Sequence, residues 1–332
     1  MKKILKQVVC AIVVVFAPLY ADEITSADEF RQRVEQTAMR MQDDMAVELK
    51  GKALRLLKKL RKDEVWPYID HASSIQWRSS KEDRNVLEFS FEMADNSRIL
   101  AAVRTPSLLA SLSSEERSVL QKVKASLGRC IKPGMSQNDK ILAVCREIFG
   151  IADLKRGYHH YGERSCASVF IDRKATPDAH ARTLQLMLSM LDIPCHIVWG
   201  TCKPFKGNAM WNIVQFENGQ WYHIDLYSDK CKPGDKFKYF GLADAEMKRD
   251  HHWSREGYEP TPKNSLGYSF RRVANRKVVE SAKMEKSVAE PEEEEPEEEA
   301  EEESGEEEEE NESSGRLKES LNKKWKALRT GE

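Results

Sequence analysis

The chain has 332 residues, 33% of them charged and 40% hydrophobic, with 53 basic side chains against 55 acidic. That is ample length for a packed core and excludes a small disulfide-dependent scaffold. The near-zero sum hides a strong polarity. Residues 290–312 hold 17 Glu, and setting these and the three leading lysines aside leaves 50 basic against 38 acidic side chains, about +12.

Residues 1–21 read as a secretory signal peptide. Lys2, Lys3 and Lys6 precede an apolar run over 8–16, and Leu19-Tyr20-Ala21 offers a cleavage site. The run is too short to span a bilayer, and no later stretch is apolar enough to do so. The expectation is an exported protein, periplasmic or secreted. Six cysteines follow Cys10: Cys130, Cys145, Cys166, Cys195, Cys202 and Cys231. An even count in an exported chain permits disulfides, and buried thiols are the alternative.

Residues 22–111 read as a helical and β extension. Ser26-x-x-Glu29 is a capping box. Phe30, Val34, Met41, Met45, Leu49, Leu56 and Leu60 form an apolar stripe, so residues 26–63 read as a long helical region that Gly51 breaks in two. The lysines and arginines over 50–62 read as a solvated face. Nothing interleaves them with aromatic side chains, and no nucleic-acid partner is expected. Residues 74–79 and 86–93 read as strands. In the second, Leu87, Phe89 and Phe91 alternate with Glu88, Ser90 and Glu92, as on a half-buried edge.

Residues 112–275 read as the main domain. Ser113-x-x-Glu116 opens a helix that buries Val119, Leu120, Val123 and Leu127. Ser136-x-x-Asp139 opens another over 140–149. The loop over 150–165 carries Tyr158, His159, His160 and Tyr161, and Tyr158 and His159 are candidate ligand contacts. Thr176 caps a helix whose first position is Pro177, with Ala181, Leu184, Met187, Leu188 and Leu191 at helical spacing. Asp192-Ile193-Pro194 ends it. Residues 195–200 have strand character. Residues 210–216 and 221–227 flank Asn218-Gly219, a strong hairpin indicator.

Several motifs in order carry a resemblance. Asp192-Ile193-Pro194-Cys195, Trp211-Asn212, Trp221-Tyr222-His223-Ile224-Asp225, Asp250-His251-His252-Trp253 and Tyr258-Glu259-Pro260 resemble the bacterial transglutaminase-like superfamily, which shares its core with papain-type cysteine proteases. The resemblance implies an α+β fold with a papain-like transglutaminase core. It also implies a triad of thiol, imidazole and carboxylate. At those positions the chain has Pro177, Ala209 and Asp225.

Two of the three roles are therefore empty. Proline supplies neither a nucleophile nor the N–H that helps hold an oxyanion. A one-residue slip supplies no thiol or imidazole. The reading that follows is a non-catalytic family member binding protein or peptide ligands, with no cofactor. His180, Trp211 and Asn212 join Tyr158 and His159 as candidate binding residues, although His180 also reads as a side chain packed on its helix. The competing reading is an active cysteine protease or acyltransferase using a relocated thiol. Cys166, before the strand-like Val169-Phe170-Ile171, is one candidate, and a core thiol is the simpler account of it. No metal site is expected. His159-His160 and His251-His252 are adjacent pairs that point to different faces, and His223 has no evident third ligand.

Residues 276–315 read as a disordered, self-repelling acidic segment. Residues 316–332 read as a basic amphipathic segment. Leu317, Leu321, Trp325 and Leu328 fall on one helical face, suited to docking on a partner or an anionic membrane surface.

Overall fold

The computed structural model describes residues 22–60, 69–81, 83, 85–154, 165–204, 207–231 and 237–266. Residues 1–21, read above as a signal peptide, Tyr158, His159, the acidic segment and Leu317, Leu321, Trp325 and Leu328 lie outside the described residues.

The first half builds a helix on a sheet. Strand β1 (Asp22–Ile24) leads into helix α1 (Ala27–Met39), where the Ser26 side chain accepts from Glu29 N. The helix stops there, and Met41 takes a left-handed φ of 52°. Residues 44–49 then form strand β2 (Asp44–Leu49), which corrects the expected continuous helix. Met45, Val47 and Leu49 alternate with polar neighbours, a period of two that pairing with strand β4 (Val86–Met93) selects over the weaker helical stripe.

Helix α2 (Arg55–Leu60) follows a 3-10 turn, and strand β3 (Ala72–Ser79) completes a sheet of order β1-β2-β4-β3. Strand β4 is thus interior and β3 is the edge, the reverse of the expected edge position. The core between α1 and the sheet includes Phe30, Val34, Val47 and Phe89, with the Phe30 and Phe89 ring centroids 5.3 Å apart.

The second half surrounds one helix. Helices α3 (Asp95–Arg104), α4 (Ser114–Cys130) and α5 (Gln137–Ile151) precede strand β5 (Asp153–Leu154). Helix α6 (Cys166–Phe170) and strand β6 (Lys174–Ala175) lead into α7 (Pro177–Ser189). The Ser113–Glu116 capping box is formed as expected. Helix α3 has no counterpart in the sequence reading. Ala94 at its N-cap makes no side-chain cap bond, which explains why it carried no start indicator. Ile99, Leu100 and Ala102 of α3 join the larger core.

A second sheet has the order β10-β9-β8-β7-β11. Its strands are β7 (Cys195–Cys202), β8 (Gly207–Gln215), β9 (Trp221–Ile224), β10 (Phe240–Leu242) and β11 (His251–His252). The β8–β9 turn places Gly219 at φ 73°, the left-handed geometry that Asn-Gly supplies. The expected strand over 221–227 ends early, and helix α8 (Leu226–Cys231) begins after Asp225. Helix α9 (Asp244–Met247) separates the last two strands.

Helix α7 is buried from Ala179 through Leu188, polar residues included. Each buried polar group there needs a partner or costs free energy. Gln185 Nε2 donates to Asp70 Oδ2 at 3.0 Å, and Asn96 Nδ2 donates to Gln185 Oε1 at 2.7 Å. These bonds tie α7 to the segments bracketing the first sheet. Among the described residues, no helix is long and apolar enough to cross a membrane.

Candidate functional site

The start of α7 is where the resemblance places a nucleophile. Thr176 caps it through a bond from Ala179 N at 3.2 Å, and Pro177 occupies the first turn, buried. His180, one turn on, is 2% exposed. Its Nδ1 lies 3.0 Å from Thr176 O, and its ring meets Tyr227 edge-on at 5.7 Å. Its Nε2 is buried without a hydrogen-bond partner. Burial pushes the imidazole down to about 4.

Strand β8 presents its residues to two different sides. Met210 packs with Ala181 of α7 and Ile197, and Asn212 Nδ2 donates to Ala181 O at 3.0 Å. Ala209 and Trp211 face the other way, into a cluster with Val198, Cys202, Tyr239 and Met247. Ala209 therefore points away from the α7 face of the sheet. Trp211 and Asn212 act as structural joints. Trp211 Nε1 donates to His223 Nδ1 at 3.0 Å, and His223 Nε2 lies 2.9 Å from Asp244 Oδ1. Both nitrogens of His223 are thus engaged in a neutral tautomer, and burial holds its pKa below the ordinary value.

Asp225 has an imidazole beside it after all, from an unexpected strand. His251 Nε2 stands 2.9 Å from Asp225 Oδ2, and His251 Nδ1 stands 2.7 Å from Asp250 Oδ1. Tyr239 OH donates to Asp250 Oδ2 at 2.6 Å, and Ser228 Oγ donates to Asp225 Oδ2 at 2.6 Å. Ser228 N also donates to Asp225 Oδ1 at 2.9 Å. The result is a chain of five side chains from Tyr239 to Ser228. The sequence reading left Asp225 without an imidazole to orient, because it paired Asp225 with the position of Ala209. His251 had been noted in the motif Asp250-His251-His252-Trp253 and as half of an adjacent pair, not as a partner of Asp225. The alternation expected of that pair is present: His251 is buried and His252 exposed.

A sulfur lies near this chain. Ser228 Oγ is 3.9 Å from Cys202 Sγ and 3.4 Å from His251 Nε2, and Cys202 is the register partner of His251. Ser228 and His251 are 0% exposed, Asp225 1% and Cys202 5%. Both ring nitrogens of His251 have carboxylate oxygens as partners, which leaves neither turned toward the thiol.

Cys130, Cys145, Cys166 and Cys195 are not activated. Cys166 opens α6, a helix where a strand was expected, and its N–H donates to Asp95 Oδ2 at 2.7 Å. Burial pushes the Cys145, Cys166 and Cys195 thiols well up, and Cys130 up to about 11. A nucleophilic thiol requires the opposite shift. Among the described residues no disulfide joins two cysteines, so those that the even count permitted are not seen there. Among the described residues, no group of three or more His, Cys, Asp or Glu side chains is placed to hold a metal.

Residues 124–226 match the model of the Transglutaminase-like superfamily, and this part of the chain is a transglutaminase-like domain. The matched segment runs from α4 to the start of α8 and includes Pro177, Ala209 and Asp225 but not His251. Three solved structures are similar at a distance. One is described as a TGase, at 12% identity, covering 70% of this chain and 64% of its own, with a TM-score of 0.32. Another is a putative cysteine protease from Cytophaga hutchinsonii, at 14% identity, covering 46% of this chain and 61% of its own, with a TM-score of 0.28. The third is a putative protease from Parabacteroides distasonis, at 11% identity, covering 44% of this chain and 30% of its own, with a TM-score of 0.27. The chain thus spans less than two thirds of the length of each. No curated protein matches the sequence.

Proposed function

We propose that this is an exported transglutaminase-like protein that has lost acyl transfer and proteolysis and binds protein or peptide ligands. The observation that carries the reading is Pro177 at the first position of α7. A helix N-terminus is where a thiol would gain acidity, and a pyrrolidine ring brings neither sulfur nor N–H to it. Support comes from the thiols elsewhere, which burial makes less acidic. Asp225 is further support, because its imidazole is already shared with Asp250. Export rests on the leader-like residues 1–21.

The test is amine incorporation into a glutamine peptide and cleavage of a protein substrate, both at neutral pH with the purified mature chain. Rates at background are expected. Cell fractionation with N-terminal sequencing should find the chain outside the cytoplasm, beginning at Asp22. A second reading is favoured by one contact: Cys202, near Ser228 and His251, as a relocated thiol. Turnover that disappears in Cys202→Ala would establish that reading and end the first.

A further inference from the structure

Four ionisable side chains from four separate segments meet where α1 and the first sheet adjoin the second sheet. Arg31 comes from α1, Asp70 from the stretch before β3, His196 from β7 and Glu259 from the stretch after β11. His196 Nδ1 lies 3.2 Å from Asp70 Oδ2, and His196 Nε2 lies 3.6 Å from Glu259 Oε1. Arg31 Nη1 donates to the same Glu259 oxygen at 3.2 Å, and its Nη2 donates to Gly257 O. The His196 ring stacks on Trp221, with centroids 5.3 Å apart and planes 20° apart, which fixes the direction of both nitrogens.

Those two directions matter because a carboxylate stands at each. A neutral imidazole carries one N–H and one bare lone pair, so it offers a donor to one carboxylate and repels the other. A protonated imidazole presents an N–H to both. Asp70 is 3% exposed, and its further hydrogen bond comes from the neutral amide of Gln185, at 3.0 Å. His71 Nε2 stands 3.9 Å from Asp70 Oδ1, beyond hydrogen-bond reach, while His71 Nδ1 faces Ser97 Oγ at 3.0 Å. Glu259 Oε2 is buried without a hydrogen-bond partner, which leaves Oε1, shared by Arg31 and His196, to make the side chain's contacts. Burial disfavours a charge on His196. The bond to Asp70 and the charges of Asp70 and Glu259 outweigh burial and the nearby Arg31, and they hold the imidazole above its ordinary value.

We propose that His196 is a proton-operated latch: its protonated ring clamps Asp70 to Glu259 and so fastens α1 and the first sheet to the second sheet, and loss of the proton loosens that seam. The sign follows from linkage. The fastened state holds the proton more tightly than an opened state, where the ring has its ordinary value of about 6.5. The clamp is therefore complete below 6.5 and is lost as pH rises through the raised value, opening becoming easier by up to about tenfold per pH unit between the two. Other bonds across the seam are indifferent to pH in this range. Gln185 and Asn96 are amides, and Lys59 and Glu256, paired at 2.8 Å, both stay charged. The latch goes beyond the binding reading above and is independent of it.

The test is a pH titration of the full chain with isotope-labelled histidine, followed by NMR, together with amide hydrogen exchange in α1 and β3 at pH 6 and pH 9. The His196 resonance is the one missing from His196→Gln. It should titrate above 6.5, and Glu259→Gln should bring it down. Protection of the α1 and β3 amides, corrected for the intrinsic pH dependence of exchange, should fall at least about threefold between the two pH values, the effect of half a pKa unit. His196→Gln should abolish that fall, and His71→Gln should leave it in place. A His196 pKa at or below 6.5, or an equal fall in His196→Gln, would overturn the proposal. A fall abolished by His71→Gln alone would overturn it too. Should His196→Gln not fold, the partly exposed Glu259→Gln decides: if no histidine resonance shifts its pKa downward, the latch is refuted.

Discussion

His251 Nε2 and Asp225 Oδ2 are 2.9 Å apart although they come from opposite sides of the second sheet. Asp225 follows β9, whereas β11 pairs beyond β7, so two strands separate them in sheet order. The contact is buried at both ends. Removing one partner of such a pair is costly because the other stays buried and loses its bond. His251→Ala should therefore destabilise the protein by about 3–5 kcal/mol, measured by urea unfolding. A loss below about 1 kcal/mol, the worth of a surface pair, would show the contact to be dispensable.

Gly200 marks how closely the last strand crosses this region. A Cβ there would lie 2.2 Å from His252 O and 2.8 Å from Trp211 Cη2. Backbone on one side and a buried indole on the other leave little room to give. Gly200→Ala should cost about 1–3 kcal/mol or more and flatten the near-ultraviolet circular dichroism of Trp211 and Trp253. An unchanged spectrum and midpoint would contradict the close approach.

The pH response should carry the mark of His180. Burial lowers its pKa from the ordinary 6.5 to about 4. Between those values the unfolded chain takes up a proton that the folded one refuses, so stability falls as pH drops from 6.5 toward 4. The effect is up to about 3 kcal/mol, at 1.36 kcal/mol per pKa unit. Asp95 acts in the opposite sense, since a carboxyl raised to about 6 favours the folded state below that pH. His180→Phe should remove the His180 loss and leave the Asp95 gain unopposed, so unfolding free energy should rise relative to the parent protein as pH drops through this window. A slope equal to that of the parent protein would dismiss His180 as its source.

Thiol reactivity separates the cysteines by depth. Cys145, Cys166, Cys195 and Cys202 are buried, whereas Cys130 and Cys231 are half-buried. Iodoacetamide at pH 7.5 should label the folded protein slowly, at Cys130 and Cys231 first. Denaturation without reductant should expose all six to labelling, as read by mass spectrometry. Any pair that labels only after reduction would reveal a disulfide. Rapid labelling of Cys202 in the folded state would favour the relocated-thiol reading.

Local chemistry was legible where it acts over a few residues. The caps at Ser26, Ser113, Ser136 and Thr176 and the turn at Gly219 all depend on a side chain and its nearest backbone. Helix α7 and strands β7 to β9 were legible too, because each has its own period and breaker, whereas residues 169–171, read as a strand, belong to α6 and its end. Residues 44–49 misled because their apolar residues suit both a helical stripe and an alternating strand, and only pairing with β4 decides between them. The strand over 210–216 was readable, but its earlier start, which takes in Ala209, and the side Ala209 faces were not.

What the amino-acid order determined by itself is the set of groups at hand: no thiol at the start of α7, a carboxylate at Asp225, six cysteines after Cys10. Which of these meet was decided by the tertiary structure alone. A two-residue strand 26 positions after Asp225 delivers His251 to it, and residues as distant as Arg31 and Glu259 meet beside one imidazole. Such contacts depend on how whole elements pack, and no short-range propensity encodes them.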